Sequence, residues 1–305
     1  MNILNPGPTL HEISQLSMIR HSIMHFRRAQ FLTPSGAFAY FGLFTSFKDA
    51  RAWLPPTKEF DSAALATEYV DVRAKKVFEY DYPVMWRLEH ALLAGAKNVL
   101  DIGGSIGVHY YAYKPYIALM DCVNWEIVEV PAIATIGRNL AIQNGAKTLN
   151  FTEDLDQAIK SKAHNIWISA GAIQYFEDAR PDHLLDRSGA RPQHILLNKL
   201  PLYDGEDFVT TQNLGSGSYA PLHVYNRRRF IDGIESLGYT LRDQWPVHER
   251  SLQLPGYPER SFPTFSGLYF EAARSSAEFV KQPPSAFGEA EWRSGFNNSA
   301  LMCST

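Results

Sequence analysis

Residues 98–113 read NVLDIGGSIGVHYYAY, an order that makes a ligand site out of backbone. A short apolar run, Val99-Leu100, ends in Asp101. Gly103, Gly104, Ser105 and Gly107 follow, and then a segment of helical composition, Val108 to Tyr116. Strand, glycine-rich turn and helix is how an α/β sheet builds a nucleotide site: bare backbone approaches the ligand, and free N–H groups at the helix start attract polar or anionic groups. The spacing D-x-G-x-S-x-G departs from the dinucleotide fingerprint, because Ser105 stands where its second glycine belongs. It departs from a P-loop because no lysine follows the last glycine. Acidic residues then recur where later strands would deliver them. Glu129 closes the run Trp125–Val130 about 20 residues beyond Gly107, where a carboxylate accepts from both ribose hydroxyls. Glu126 is its rival, but strand alternation and Pro131 set Glu129 nearer the carboxyl edge. Asp154, after Thr148–Phe151, either accepts from an adenine amine or caps the next helix. The run Asn165–Ser169 continues into Ala170 and Gly171, so Ser169 and its neighbours leave room for a ligand, and Gln174 and Tyr175 face the same cleft.

The turn does fit the first motif of S-adenosylmethionine-dependent methyltransferases, D/E-x-G-x-G-x-G, with serine in the middle glycine slot. More of the chain resembles a group of bacterial class I methyltransferases found in polysaccharide and secondary-metabolite gene clusters. LDIGGSIGVHY (Leu100 to Tyr110) matches their LDxGGSxGxxY, VEVP (Val128 to Pro131) their V-E-x-P strand end, and IQY (Ile173 to Tyr175) their L-Q-Y. FGLF (Phe41 to Phe44) matches an upstream F-G-x-F. The resemblance spans about residues 40–270. It implies a Rossmann-like α/β methyltransferase fold, with a mixed seven-stranded sheet and a final antiparallel strand. It also implies S-adenosyl-L-methionine as cofactor and S-adenosyl-L-homocysteine as product. On this reading the cofactor is held by Asp101, Gly103, Gly104, Ser105, Gly107, Glu129, Asp154, Ser169, Ala170 and Gln174.

Methyl transfer from a sulfonium is an in-line displacement by a donor already activated by its charge. The protein must hold donor and acceptor in line and help the acceptor lose its proton. His109, two residues past Gly107, is the base candidate, with Tyr110 beside it as a second catalytic candidate; a histidine there also reads as a packing residue on the helix face. Tyr113, Tyr175, Tyr203, His223 and Tyr225 are the acceptor-binding candidates, with Gln212 as an alternative. His164 lies too far before its strand to reach the cleft. No His/Asp/Glu group has metal-ligand spacing, so a magnesium-dependent catechol type is not expected. The favoured reaction is methylation of a small molecule on oxygen, with nitrogen next. A methyltransferase-like protein that binds without catalysis and a nicotinamide-dependent oxidoreductase remain as alternatives.

The elements needed to position these residues are legible as an alternation of strands and helices from Asn98 onward. Strands are expected at Trp125–Val130, Thr148–Phe151, Asn165–Ser169 and His194–Asn198, with a final pair at Thr240–Trp245 and Ser266–Ala272. Helices are expected at Ala132–Asn144, Leu155–Ser161, from Pro181, and at Arg229–Leu237. Ahead of them, Leu10 to Phe31 carries Ile13, Leu16, Ile19, Ile23 and Phe26 at helical spacing. Residues 59–94 read as two helical pieces with a kink at Pro83, and Phe38 to Phe47 is rich in aromatics. This gives an N-terminal helical and aromatic cap (1–94), a cofactor-binding domain (95–275) and a mobile, Pro/Gly/Ser/Asn-rich tail (276–305). The first helix would pack on the main domain or pair two chains as a homodimer. A formal charge of −3 gives no general nucleic-acid or anionic-membrane surface. Cys122 and Cys303 cannot build a disulfide framework or a cysteine-rich zinc motif. Neither a signal peptide nor an apolar run of about 20 residues is present, which reads as a cytoplasmic protein.

Overall fold

The computed structural model describes residues 17–62, 70, 72–161, 163–178 and 180–273. The tail, the first part of the N-terminal helical stretch, and Leu65 and Tyr69 of the first helical piece lie outside the described residues.

Five parallel strands carry the molecule: β2 (Asn98–Ile102), β3 (Asn124–Val128), β4 (Leu149–Thr152), β5 (Ile166–Ala170) and β6 (His194–Leu200). They are completed by β10 (Tyr239–Val247) and β11 (Phe265–Ala272) into a seven-stranded sheet of order β10-β11-β6-β5-β2-β3-β4, in which β11 runs antiparallel to both its neighbours. This is the mixed sheet with a final antiparallel strand that the resemblance implies. The central strands are short apolar runs because both faces are covered. Along β2, Val99 points to one face, into a core with Leu88, Tyr110 and Tyr113, whereas Leu100 and Ile102 point to the other, with Leu184, Phe230 and Ile234. The first face is packed by α3 (Tyr82–Leu93) and α4 (Val108–Tyr113); the second by α7 (Pro181–Ser188) and α8 (Arg227–Glu235). Each such fully buried large side chain contributes about 1.5–3 kcal/mol. Between them α5 (Pro131–Gln143) and α6 (Leu155–Lys160) make the crossovers that keep β3, β4 and β5 parallel. Pro83 stands in the first turn of α3 and starts the helix instead of kinking it.

A second sheet departs from the expected organisation. β1 (Tyr40–Phe44), inside the stretch read as a helical and aromatic cap, pairs antiparallel with β8 (Phe208–Gly215). β8 turns back into β9 (Ser218–Asn226), which pairs in parallel with β7 (Leu202–Tyr203). The buried polar run Thr210–Asn213 is satisfied by side-chain hydrogen bonds. Thr210 Oγ1 donates to Gly42 O at 2.7 Å, Thr211 Oγ1 to Phe41 O at 2.6 Å, and Asn213 Nδ2 to Phe31 O at 2.7 Å. Outside this sheet, Phe41 stacks on Trp53 of α2 (Phe47–Trp53), with Phe31 and Tyr219 against the same cluster. Phe31 ends α1 (Ser17–Phe31), on which Ile23 and Phe26 are exposed. Among the described residues, no helix is long and apolar enough to cross a membrane.

Candidate active site

The large sheet ends in a cavity of about 590 Å³, roofed by the small sheet. Its floor is the loop after β2. Gly103 sits at φ +73, and a side chain there would meet Ala172 Cβ at 2.2 Å. At Gly104 the space is taken from below: an added Cβ would lie 2.4 Å from Asp101 Oδ2. Ser105 adopts φ 56, the left-handed conformation natural to the glycine it replaces in the motif, at a cost of about 1–2 kcal/mol. Its backbone N–H donates to Glu129 Oε1 at 2.8 Å, so the loop is tied to the end of the neighbouring strand. Gly104→Ala is expected to force either the loop or the Asp101 carboxylate to move. Overpacking of this kind costs about 1–3 kcal/mol, which denaturant unfolding of the variant would read directly.

Glu129 follows β3 and faces the cavity. Its second oxygen, Oε2, accepts from Val130 N–H at 2.9 Å. Burial pushes the carboxyl up to about 7, against the pull of the two N–H groups, Val130 and Ser105. Asp101 ends buried beneath Gly104. Its Oδ2 takes Trp125 Nε1–H at 3.2 Å and lies 2.9 Å from His109 Nδ1. A carboxylate only accepts, so Nδ1 carries the proton and Nε2 is the free basic nitrogen of a ring that lines the cavity. Three buried polar atoms around the floor have no protein partner: Asp101 Oδ1, Ser105 Oγ and Gln174 Oε1. A native interior satisfies such atoms, so these point to a ligand or to water.

Of the residues expected in the site, the structure brings Gly103, Gly104, Ser105, His109, Glu129, Ala170, Gln174 and Tyr175 to the cavity wall, with Gln212. Tyr175 Oη donates to Gln212 Oε1. The others are placed elsewhere. Gly107 opens α4 at φ +99. Ser169 is buried and donates to Ile102 O at 3.0 Å, joining β5 to β2. Asp154 is the N-cap of α6, accepting from Gln157 N–H at 2.9 Å, in an open depression beside Arg138 and Glu153. Tyr110 and Tyr113 point into the core, Tyr110 edge-on to Trp125 and Tyr113 donating to Asp81 Oδ1 at 3.1 Å. Tyr203 donates to Glu206 O and stacks on Phe262. His223 is held by Glu177 O at 3.0 Å and stacks on Tyr225, which is itself packed against Phe230.

Sequence reasoning did not single out Lys199, Arg250 or Arg73, all on the cavity wall. For Lys199 a signal was available: it directly follows the run His194–Asn198, at the carboxyl end of a parallel strand, where α/β sheets bind ligands. Arg250 comes from an irregular segment with no periodicity to place it, and Arg73 from a short 3-10 turn, Arg73–Lys75, inside the stretch read as helical.

No family model and no curated protein matches this chain. Solved structures do. The 1,6-didemethyltoxoflavin-N1-methyltransferase of Burkholderia thailandensis, crystallised with 1,6-didemethyltoxoflavin and S-adenosylhomocysteine, is similar at 13% identity over 72% of this chain and 93% of that one, with a TM-score of 0.40. The N-terminal domain of EvdMO1 with S-adenosylhomocysteine bound is similar at 15% identity over 70% and 95%, with a TM-score of 0.43. An O-methyltransferase family protein from Burkholderia thailandensis is similar at 11% identity over 85% and 72%, with a TM-score of 0.45. Likenesses at these identities and scores carry no argument about activity, which rests on the residues of the site.

Proposed function

We propose that this protein is an S-adenosylmethionine-dependent methyltransferase of a small molecule, acting on oxygen. One observation carries the reading: the bare Gly103–Gly104 backbone, the Ser105–Glu129 tie and two unpartnered buried polar atoms, Ser105 Oγ and Gln174 Oε1, converge on one cavity at the carboxyl edge of the sheet, while Asp101 lies beneath its floor and off its wall. Glu129 suits a ribose diol, because its carboxylate is fixed by two N–H groups and still faces the cavity. Ser105 Oγ and Gln174 Oε1, both on the cavity wall without a protein partner, suit polar groups of the same ligand. The cofactor supplies an activated methyl group on a sulfonium.

The chain's own contribution is orientation and proton transfer. Asp101 holds the His109 ring through Nδ1, leaving Nε2 to take the proton of an acceptor hydroxyl. Trp125, donating to the same carboxylate oxygen, fixes Asp101 in turn. The small sheet and Tyr175 enclose the acceptor end, so that the reacting groups meet away from bulk water.

Titration calorimetry of the full chain with S-adenosylmethionine and S-adenosylhomocysteine tests the proposal. Both are expected to bind with Kd below about 100 μM, within the range usual for enzyme substrates. No heat of binding for either at that concentration would refute it.

A further inference from the structure

The cavity's carboxylates are spoken for, and the cations Lys199 and Arg250 are not. Glu59 pairs with Arg51 at 2.7 Å, Asp61 Oδ1 accepts from Ala132 N–H at 2.8 Å, and Glu129 takes its two N–H groups. Around Tyr80 the opposite holds. Lys199 Nζ lies 4.8 Å from the centre of the Tyr80 ring, and Arg73 Nη1 donates to Tyr80 Oη at 3.3 Å. Arg250 completes this wall, and its charge acts on Tyr80, Tyr40 and Lys199 alike.

Among the described residues, neither Lys199 nor Arg250 has a carboxylate within ion-pair distance. Asp81, whose charge reaches Lys199, is already occupied by Phe78 N–H at 2.9 Å and Tyr113 Oη at 3.1 Å. Burial pushes the Lys199 ammonium down to about 8; Arg250 and Arg73 add to that, while Asp81 and Asp101 oppose it. Lys199 is also held at φ 55, in the left-handed region, with Gly171 opposite leaving room for its stem. A strained lysine facing a cavity beside the Arg250 guanidinium, neither paired with a carboxylate, leaves charge on this wall for a ligand to balance.

Position fixes what that counter-charge belongs to. Lys199 lies on β6, which is two strands from β2 along the sheet edge, or about 10 Å. Glu129 lies on the other side of β2. Lys199 therefore lies toward the acceptor half of the cavity and leaves the donor loop to the glycines.

We infer that the acceptor carries an anionic group, a carboxylate or a phosphate, which Lys199 and Arg250 grip so as to point the atom to be methylated toward the Gly103–Ser105 side. This rests on the methyl-transfer reading above.

The test is calorimetry on the full chain, first with S-adenosylhomocysteine and then, on the saturated protein, with glucuronate, inorganic pyrophosphate and glucose as carboxylate, phosphate and neutral probes. At least one anionic probe is expected to bind with Kd of about 1 mM or tighter, and glucose not to bind. Which anion binds identifies the group. Arg250→Gln and Lys199→Met should each weaken that binding by about tenfold or more while S-adenosylhomocysteine still binds. Arg250 is only partly buried, so its variant keeps the experiment readable if Lys199→Met fails to fold. Saturation by S-adenosylhomocysteine with neither anion binding, equal binding of glucose, or wild-type anion affinity in both variants would overturn the inference. Failure of S-adenosylhomocysteine to bind at all would instead remove the methyl-transfer reading.

Discussion

His109→Ala is expected to lower turnover by about a hundredfold to ten-thousandfold, the range for loss of a positioned base, while S-adenosylhomocysteine affinity is retained. The expectation follows from the geometry around Asp101. His109 is buried, and its Nδ1 is committed to Asp101 Oδ2 at 2.9 Å, so the ring cannot turn without breaking a charged hydrogen bond. Asp101→Asn should be milder, because the geometry keeps its acceptor role. Trp125 Nε1–H and His109 Nδ1 meet the same carboxylate oxygen, so an amide turns its carbonyl oxygen to both, keeps the ring's tautomer and loses only the charge. Product release with the natural acceptor, followed for both variants across pH, separates these effects. Full activity in His109→Ala would show that the ring is there only to pack.

Glu129→Ala should weaken S-adenosylhomocysteine binding by about tenfold to a hundredfold, the value of hydrogen bonds to a charged acceptor. The same carboxyl gives two opposite pH slopes. Its folded value is raised to about 7 from an ordinary value of 4.5, so the protonated form favours the fold. Stability from this group is complete below the unfolded value and is lost as pH rises through about 7. Ligand hydroxyls need the ionised form to accept from them, so affinity should rise between about pH 6 and 8 with release of a proton. Glu129→Gln should flatten both curves. Calorimetry in buffers of different ionisation enthalpy would detect the proton, and an affinity independent of pH in the wild type would contradict the assignment.

How far the sequence reaches depends on how local each signal is. The loop after β2 and Glu129 were legible because glycine spacing and strand ends are short-range patterns set by the sheet itself. The small sheet was not. Thr210, Thr211, Gln212 and Asn213 look like a polar loop, yet they form the middle of β8, fully buried because carbonyls of β1 and α1 accept their side chains. With both faces covered, β1 and β8 show no alternation of apolar and polar residues to read. Asp154 illustrates a tie: capping and base recognition call for the same residue at the same place, and the helix takes it. His223 and Tyr225 follow a glycine- and serine-rich turn, Gly215 to Ser218, and Tyr203 precedes it; their chemistry alone suggests a pocket. That turn is the β8–β9 hairpin; β9 sends Tyr225 into the core beside Phe230, and β7 sends Tyr203 into a separate cluster with Phe208.

The pairing of β1 with β8 also bears on how the chain assembles. Phe41 O and Thr210 Oγ1 are 169 residues apart in sequence, and strands β2 to β6 lie between them. Closing so long a loop is slow unless the intervening chain has already condensed, so the parallel strands β2 to β6 are expected to form first and the small sheet to zip onto them later. On a ribosome, Tyr40–Phe44 has no partner until β8 has emerged. The donor floor is thus assembled before its roof, and for that interval the nascent protein holds an open cleft with an aromatic strand edge still unpaired.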